Sequence, residues 1–100
     1  MEIKKRSGEI VSFDHSKIKL AVSKAYVEVN YKANDALADE ISAAVAAEIE
    51  AVFVGRTPGV EDVQNIVERK LMEKGLFDVA KSYIIYRYEH TKVREEKKAE

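Results

Sequence analysis

An α+β fold, with a small sheet capping a four-helix bundle, is predicted by three features of the chain. Two short extended segments flank Ser7-Gly8 near the N-terminus. Four stretches with apolar residues at helical spacing follow, and the breaks between them fall at Asn, Gly and the single Pro. The order is therefore ββαααα, with a third short extended piece expected near residues 56–60.

Residues 2–13 read as a hairpin, because "EIKKR" and "EIVSF" lie on either side of a two-residue loop in which Gly8 takes a positive φ without steric conflict. Asp14 then caps a first helix over residues 15–29, whose apolar face carries Ile18, Ala21, Val22, Ala25 and Val29; Asn30 ends it. Asn34 or Asp35 caps the second helix. Its stripe is Leu37, Ile41, Val45, Ile49 and Val52, the residues Ala43, Ala44, Ala46 and Ala47 permit a close neighbour, and Gly55 is the expected stop. After "RTPGV", a third helix carries Val63, Ile66, Val67 and Leu71 on one face. Glu61 and Asp62 sit in its first turn and Lys70 and Lys74 near its end, as the helix dipole favours, and Gly75 closes it. The fourth helix starts near Asp78, carries Val79, Ala80, Tyr83 and Ile84, and fades into "KVREEKKAE". That segment reads as a frayed helix end or a connection to a following domain, so residues 1–91 are assigned to one domain and 92–100 to a charged helical tail or linker.

At 100 residues with 46% apolar content, the chain is large enough for one core. Its 17 Lys and Arg nearly cancel 18 Asp and Glu, so no global charge points to nucleic acid or an anionic membrane. The absence of Cys excludes disulfides, thiolate zinc sites and cysteine-based catalysis within the chain. The most apolar run, "ISAAVAAEIEAVFV", is broken by Ser42, Glu48 and Glu50, and "MEIKKRSGE" has no apolar signal core; a soluble, cytoplasmic protein is expected. There is no P-loop, no Gly-rich dinucleotide fingerprint and no nucleophile with an identifiable base, so no catalytic residue is assigned. His15 and His90 lack partners at metal-ligand spacing; both are expected at the surface, and no metal site is assigned.

Positive charge is nonetheless concentrated locally. Lys4, Lys5 and Arg6 run into the hairpin turn, and Lys17 lies in the first turn of the first helix, where backbone N–H groups and the dipole favour an anion. Strand alternation sets Lys5 opposite Lys4 and Arg6, so the three do not serve one ligand from one face. If the hairpin folds back over the helix start, part of the Lys5/Arg6 pair converges with Lys17 on a phosphate-binding pocket. The competing reading is a solvated edge strand protected by its lysines. Asp14 would repel a triphosphate, which favours its capping role, although it could reach a sugar hydroxyl. Tyr83, Tyr86, Arg87 and Tyr88 form an aromatic and cationic patch in which Tyr83 and Arg87 share a face; core packing with an exposed tip is the alternative.

Two stretches carry a family resemblance. "IKKRSGEIVSFDHSKI" resembles the opening of the ATP-cone domain: a cationic pair, a Gly turn, a short strand and an Asp-x-x-Lys-Ile helix start. "GVEDVQNIVERKLMEKGLFDVAKSYIIYR" resembles its second half, and the two together span residues 3 to about 90. The resemblance implies a β-cap over four helices and an allosteric role, binding ATP or dATP, often with Mg2+, to control a ribonucleotide reductase from its catalytic subunit. By position it places Ile3 and Val11 near the base, Lys5, Arg6 and Lys17 at the phosphates, and Asp14 near the sugar or base. Val60 and Gln64 match further pocket positions, with Tyr83 and Arg87 added to the same pocket. Expected partners are the nucleotide, the remainder of the reductase subunit and further copies in a nucleotide-dependent homo-oligomer, with no membrane and no direct nucleic acid. Ser7 departs from the more usual Asp before the turn Gly, Gly59 from a capping Ser or Thr, and Gln64 from the His of some relatives. A zinc-ribbon repressor of reductase genes, of which this chain would be the sensing half, and a plain interaction module are the alternative readings.

Overall fold

The computed structural model describes the backbone of residues 2–99 and the side chains of residues 2–89. The strand β1 (Glu2–Lys4) pairs antiparallel with β2 (Ile10–Ser12), in the register Glu2 to Ser12, Ile3 to Val11 and Lys4 to Ile10. The Gly8 N–H donates to the Lys5 carbonyl at 2.9 Å, and the Lys5 N–H donates to the Glu9 carbonyl at 2.8 Å. Gly8 has φ 92°, so Arg6, Ser7 and Gly8 form a three-residue loop closed by a left-handed glycine, rather than the two-residue Ser7-Gly8 loop expected.

The third strand expected near residues 56–60 reduces to one parallel bridge between Lys4 and Gly59, giving a sheet of two strands. The Lys4 N–H donates to the Pro58 carbonyl at 2.9 Å. Pro58 has no N–H of its own with which to extend that pairing into a ladder.

Four helices follow: α1 (Ser16–Asn30), α2 (Asp35–Val52), α3 (Val60–Glu73) and α4 (Phe77–Ala99). The Asp14 carboxylate accepts the Ser16 N–H at 2.9 Å, bonding two residues ahead, so His15 occupies the capping position itself. Asn34 caps α2, its Oδ1 accepting the Leu37 N–H at 3.1 Å. Phe53, not Gly55, is the residue at which α2 stops; Gly55 sits at φ 71° in the following turn. Gly59 has no side chain to cap α3, but Asp62 Oδ2 accepts the Gly59 N–H at 2.9 Å and supplies the reciprocal half of a capping box. Gly75, at φ 75°, closes α3 as expected, with the Leu76 N–H donating to the Leu71 carbonyl at 3.0 Å. The α4 backbone is helical through Ala99, and the side chain of His90 lies outside the described residues.

Each helix packs on its sequence neighbour, and α4 returns to α1. Short connections make those neighbours antiparallel, so the starts of α1 and α3 share one end of the bundle. Ile41, Leu71, Val22, Val45 and Val67 are fully buried at its centre. Ile3, only 6% exposed, is the hairpin residue that enters this core, with Val11 and Phe13 packed against it. Of the alanine run on α2, Ala46 is buried while Ala43 and Ala47 face solvent. Ile84, expected on the apolar face of α4, is exposed, and that face is formed by Val79, Ala80 and Tyr83. The Ser42 hydroxyl donates to the His15 carbonyl at 3.2 Å and ties α2 to the start of α1. Lys19 and Asp39 bridge α1 to α2 at 3.0 Å, while Glu48 meets Arg69 and Lys70 across α2 and α3; on exposed surface such pairs contribute little, about 0–1 kcal/mol each. No helix of the described residues is long and apolar enough to cross a membrane.

The α1–α2 junction carries two opposed local effects. Tyr31, 91% exposed, adopts a left-handed φ of 57° while its N–H donates to the Val27 carbonyl at 2.8 Å, a position that glycine fills without Cβ strain. Tyr31→Gly is therefore expected to raise stability by about 0.5–1 kcal/mol, and Asn34→Ala to lower it by about 1 kcal/mol through loss of the cap. Urea unfolding followed by circular dichroism measures both, and equal shifts of one sign would contradict the assignment.

Candidate functional site

The end of the molecule formed by the hairpin and the starts of α1 and α3 gathers most of the residues singled out in the sequence. Backbone contact with Pro58 and Gly59 fixes β1 beside the first turn of α3. Ile3 is buried there, and Val11 and Val60 are partly buried against the same cluster. Phe13 and Asp14 lead directly from β2 into α1, which brings Lys17 to this end.

The cations at this end differ in their partners. Arg6 Nη2 lies 3.5 Å from Glu61 Oε1 in the first turn of α3, an exposed ion pair that also braces the hairpin. Lys5 and Lys17 are exposed and, among the described residues, lie within ion-pair distance of no carboxylate. Lys5 follows β1 at the point where its N–H still bonds to Glu9, so alternation carries it on to the face of buried Ile3 and not that of Lys4.

Part of the expected anion cradle at the start of α1 is already committed. The Ser16 N–H goes to the Asp14 carboxylate at 2.9 Å and the Lys17 N–H to the Asp14 carbonyl at 3.1 Å. What α1 offers an anion is therefore the Lys17 charge and the helix dipole, not those two amides. Hydrogen bonds from Ser16, chiefly its backbone N–H, hold the Asp14 carboxyl below the usual carboxylate range, with smaller contributions from the charges of His15 and Lys17.

Gln64 lies one turn beyond Val60 on α3 and is half-buried. Its Oε1 is fully buried and has no hydrogen-bond partner within the protein, the only such side-chain atom among the described residues. An unsatisfied buried acceptor costs about 1–3 kcal/mol, and such groups need a specific reason.

The aromatic and cationic patch on α4 divides. Tyr83 is 5% exposed and belongs to the core, whereas Tyr88 is exposed and Tyr86 lies under Lys24, whose Nζ is 5.9 Å from the ring centre. Arg87 Nη1 reaches Glu68 Oε1 at 2.7 Å and Asn65 Oδ1 at 2.9 Å, clasping α4 to α3. The structure thus places Tyr83 and Arg87 in the interhelical packing beneath the hairpin end. Sequence spacing showed their common face but not the Glu68 and Asn65 partners, which lie 19 and 22 residues away. Two surface grooves lie elsewhere. One, of about 600 Å³, runs between α1 and α4 past Lys24, Val27, Ile85 and Tyr86; the other, of about 310 Å³, lies between α2 and α3 beside Phe53, Asn65 and Ile66. Neither contains a residue assigned to the site from sequence. No group of three His, Cys, Asp or Glu side chains among the described residues is arranged to hold a metal ion.

A two-stranded hairpin seated on the starts of two helices of a four-helix bundle defines a small α+β domain. The chain belongs to the ATP-cone domain family, which matches residues 1–92. It is 38% identical to a vitamin B12-dependent ribonucleoside-diphosphate reductase of Thermoplasma acidophilum, across 96% of this chain and 13% of that protein. The corresponding Mycobacterium tuberculosis enzyme is 40% identical across 93% of this chain and 13% of the enzyme. The ribonucleoside-diphosphate reductase subunit alpha of Chlamydia pneumoniae is 33% identical across 93% of this chain and 10% of the subunit. The chain therefore spans only about a tenth to an eighth of the length of these relatives.

Burial gives Tyr83 a measurable signature. It pushes the phenol up to about 12 from an ordinary value of 10.0, opposed by the Arg87 charge. A raised folded-state value means that the stability linked to the neutral phenol is complete below pH 10 and is lost as pH rises towards 12. Of the 5 tyrosines, one should ionise late in a spectrophotometric titration, and Tyr83→Phe should remove that component. Loss of a different component would show that Tyr83 is solvated.

Proposed function

We propose that this chain is an allosteric domain that binds ATP or dATP, with Mg2+ accompanying the phosphates, and controls the overall activity of a cytoplasmic ribonucleotide reductase of which it forms part. Family membership and the reductase relatives support this reading. The observation that carries it is the gathering of Lys5 and Lys17 at the hairpin end, both exposed and without a carboxylate partner among the described residues. Among the described residues, Lys19, Arg69, Lys70 and Lys74 are paired with Asp or Glu and Lys24, Lys32 and Lys81 are not; Lys5 and Lys17 differ from the latter in lying beside the hairpin turn and in the first turn of α1. A triphosphate supplies the charge that the hairpin end lacks, and Arg6 can exchange its exposed Glu61 contact for a phosphate oxygen at little cost.

In this reading Ile3, Val11 and Val60 form the apolar floor for the base, Asp14 stands by the sugar, and Lys5, Arg6 and Lys17 meet the phosphates. The chain acts as a sensor; the reducing chemistry belongs to the remainder of the subunit. ATP and dATP differ by one hydroxyl. Moving an equilibrium from 1:99 to 99:1 needs about 5.5 kcal/mol of differential binding, more than one hydroxyl contact provides. Opposite outputs from the two nucleotides therefore require the difference to be summed over several subunits, which makes nucleotide-dependent oligomerisation the economical switch.

Lys17→Ala should weaken ATP binding roughly ten- to a hundred-fold in calorimetric titration, the worth of one charge-assisted contact, without loss of helicity. Unchanged affinity would remove Lys17 from the site. Sedimentation of the full parent subunit should show larger species with dATP than with ATP; identical profiles would restrict the switch to a change within one protomer.

A further inference from the structure

Helix α1 carries two apolar stripes. Ile18, Val22 and Ala25 are buried against the bundle. Leu20, Val27 and Tyr31 recur at helical spacing on the other side and remain exposed, at 56%, 42% and 91%. Val27 brings that second stripe to the groove of about 600 Å³ between α1 and α4, which Lys24 and Glu28 also line, with Ile85 across from them on α4. Ile85 is 49% exposed, and Tyr88, three residues further along α4 and so on the same side, is 68% exposed. The bundle has its core without these residues, and an exposed apolar patch bordered by charge marks an interaction surface.

The charges in the groove define what can cover it. Lys24 and Glu28 stand one turn apart on α1, in the order that favours a pair within the helix least, and among the described residues neither lies within ion-pair distance of an opposite charge. A uniformly acidic partner would meet Glu28, and a uniformly basic one Lys24, as a like charge. A second α1 running in the opposite direction meets neither conflict. Turned about a two-fold axis that crosses near Tyr26, midway between the two charges, it sets Lys24 of each copy against Glu28 of the other. The same axis sets Leu20 against Tyr31, because the positions 20, 24, 27 and 31 have the same spacing read from either end.

We propose that the α1 face beside α4 is a self-association surface, on which two copies of the chain pack through antiparallel α1 helices held by two equivalent Lys24–Glu28 pairs. A fully exposed aromatic side chain offers about 150–250 Å², so Tyr31 and Tyr88 together supply roughly a third of the about 800 Å² that each partner buries in a stable interface. Leu20, Val27, Ile85 and the stem of Lys24 add to it. The surface is separate from the hairpin end, and the association needs no nucleotide; it stands whether or not the nucleotide reading holds.

Sedimentation of this chain without nucleotide, over about 10–500 µM, should show a monomer–dimer equilibrium. Lys24→Glu and Glu28→Lys each turn both intermolecular pairs into like-charge contacts, and each should weaken the dimer at least about tenfold. Both positions are exposed, so circular dichroism should remain that of the unaltered chain. An equimolar mixture of the two variants should recover the dimer: the new carboxylate of one faces the new ammonium of the other, and the untouched Glu28 of the first faces the untouched Lys24 of the second. A chain that stays monomeric throughout overturns the proposal and leaves the face to a different partner. A dimer that neither substitution weakens, or two weakened variants whose mixture stays monomeric, overturns it as well, because the contact then lies elsewhere or in another register.

Discussion

The hydrogen bond from the Lys4 N–H to the Pro58 carbonyl, at 2.9 Å, is the contact on which the candidate site depends. A two-stranded hairpin is marginal by itself in water, and this one has only three residues in each strand. It is held by that bond, by the bridge to Gly59, by the Arg6–Glu61 pair and by Ile3 in the core. Three of these four attachments end in the short stretch from Pro58 to Glu61. Any displacement of the α3 start therefore moves the hairpin, and any ligand held between hairpin and helices acts on α3.

The electrostatic design follows from the same arrangement. Lys19, Arg69, Lys70 and Lys74 on the helical surface have carboxylate neighbours, and none of these pairs lies in the core. At the hairpin end Lys5 and Lys17 have no carboxylate within ion-pair distance among the described residues, as is also true of Lys24, Lys32 and Lys81. Beneath it, Glu68 and Arg87 form a partly shielded clasp between α3 and α4. Glu68 is one turn from Gln64, so the unsatisfied amide and the clasp occupy successive positions along α3.

Much of this was legible in the sequence because it rests on local rules. Gly75 declared itself as a helix stop, Asn34 was one of two candidate caps with Asp35, and the apolar stripes mark most of each helix's buried face through periodicity, although Val52 and Ile84 are exposed. The misread details each involve a tertiary override or a choice between equivalent signals. Gly55 is a plausible stop, but α2 ends two residues earlier, at Phe53, and the glycine serves the next turn. Tyr31 takes a left-handed conformation without the glycine that would announce it. Ser7-Gly8 suggested a short loop, while the bond from Gly8 to Lys5 recruits Arg6 as well. The third strand was expected from an extended stretch, yet proline leaves only one bridge. At the site, charge made Lys5 and Lys17 visible, whereas the partners of Arg6 and Arg87 and the buried oxygen of Gln64 arise from chain segments far apart in sequence.

Nucleotide bound under the hairpin, at the joined starts of α1 and α3, should make this end of the domain respond as a unit. Amide hydrogen exchange of the chain with and without ATP and Mg2+ addresses it directly, since local opening sets exchange rates segment by segment. Slowed exchange is expected in residues 3–11, at the start of α1 around Lys17 and at the start of α3 around Val60 and Gln64, with little change at the α1–α2 junction near Tyr31. Protection confined to the groove between α1 and α4, with the hairpin unchanged, would contradict it.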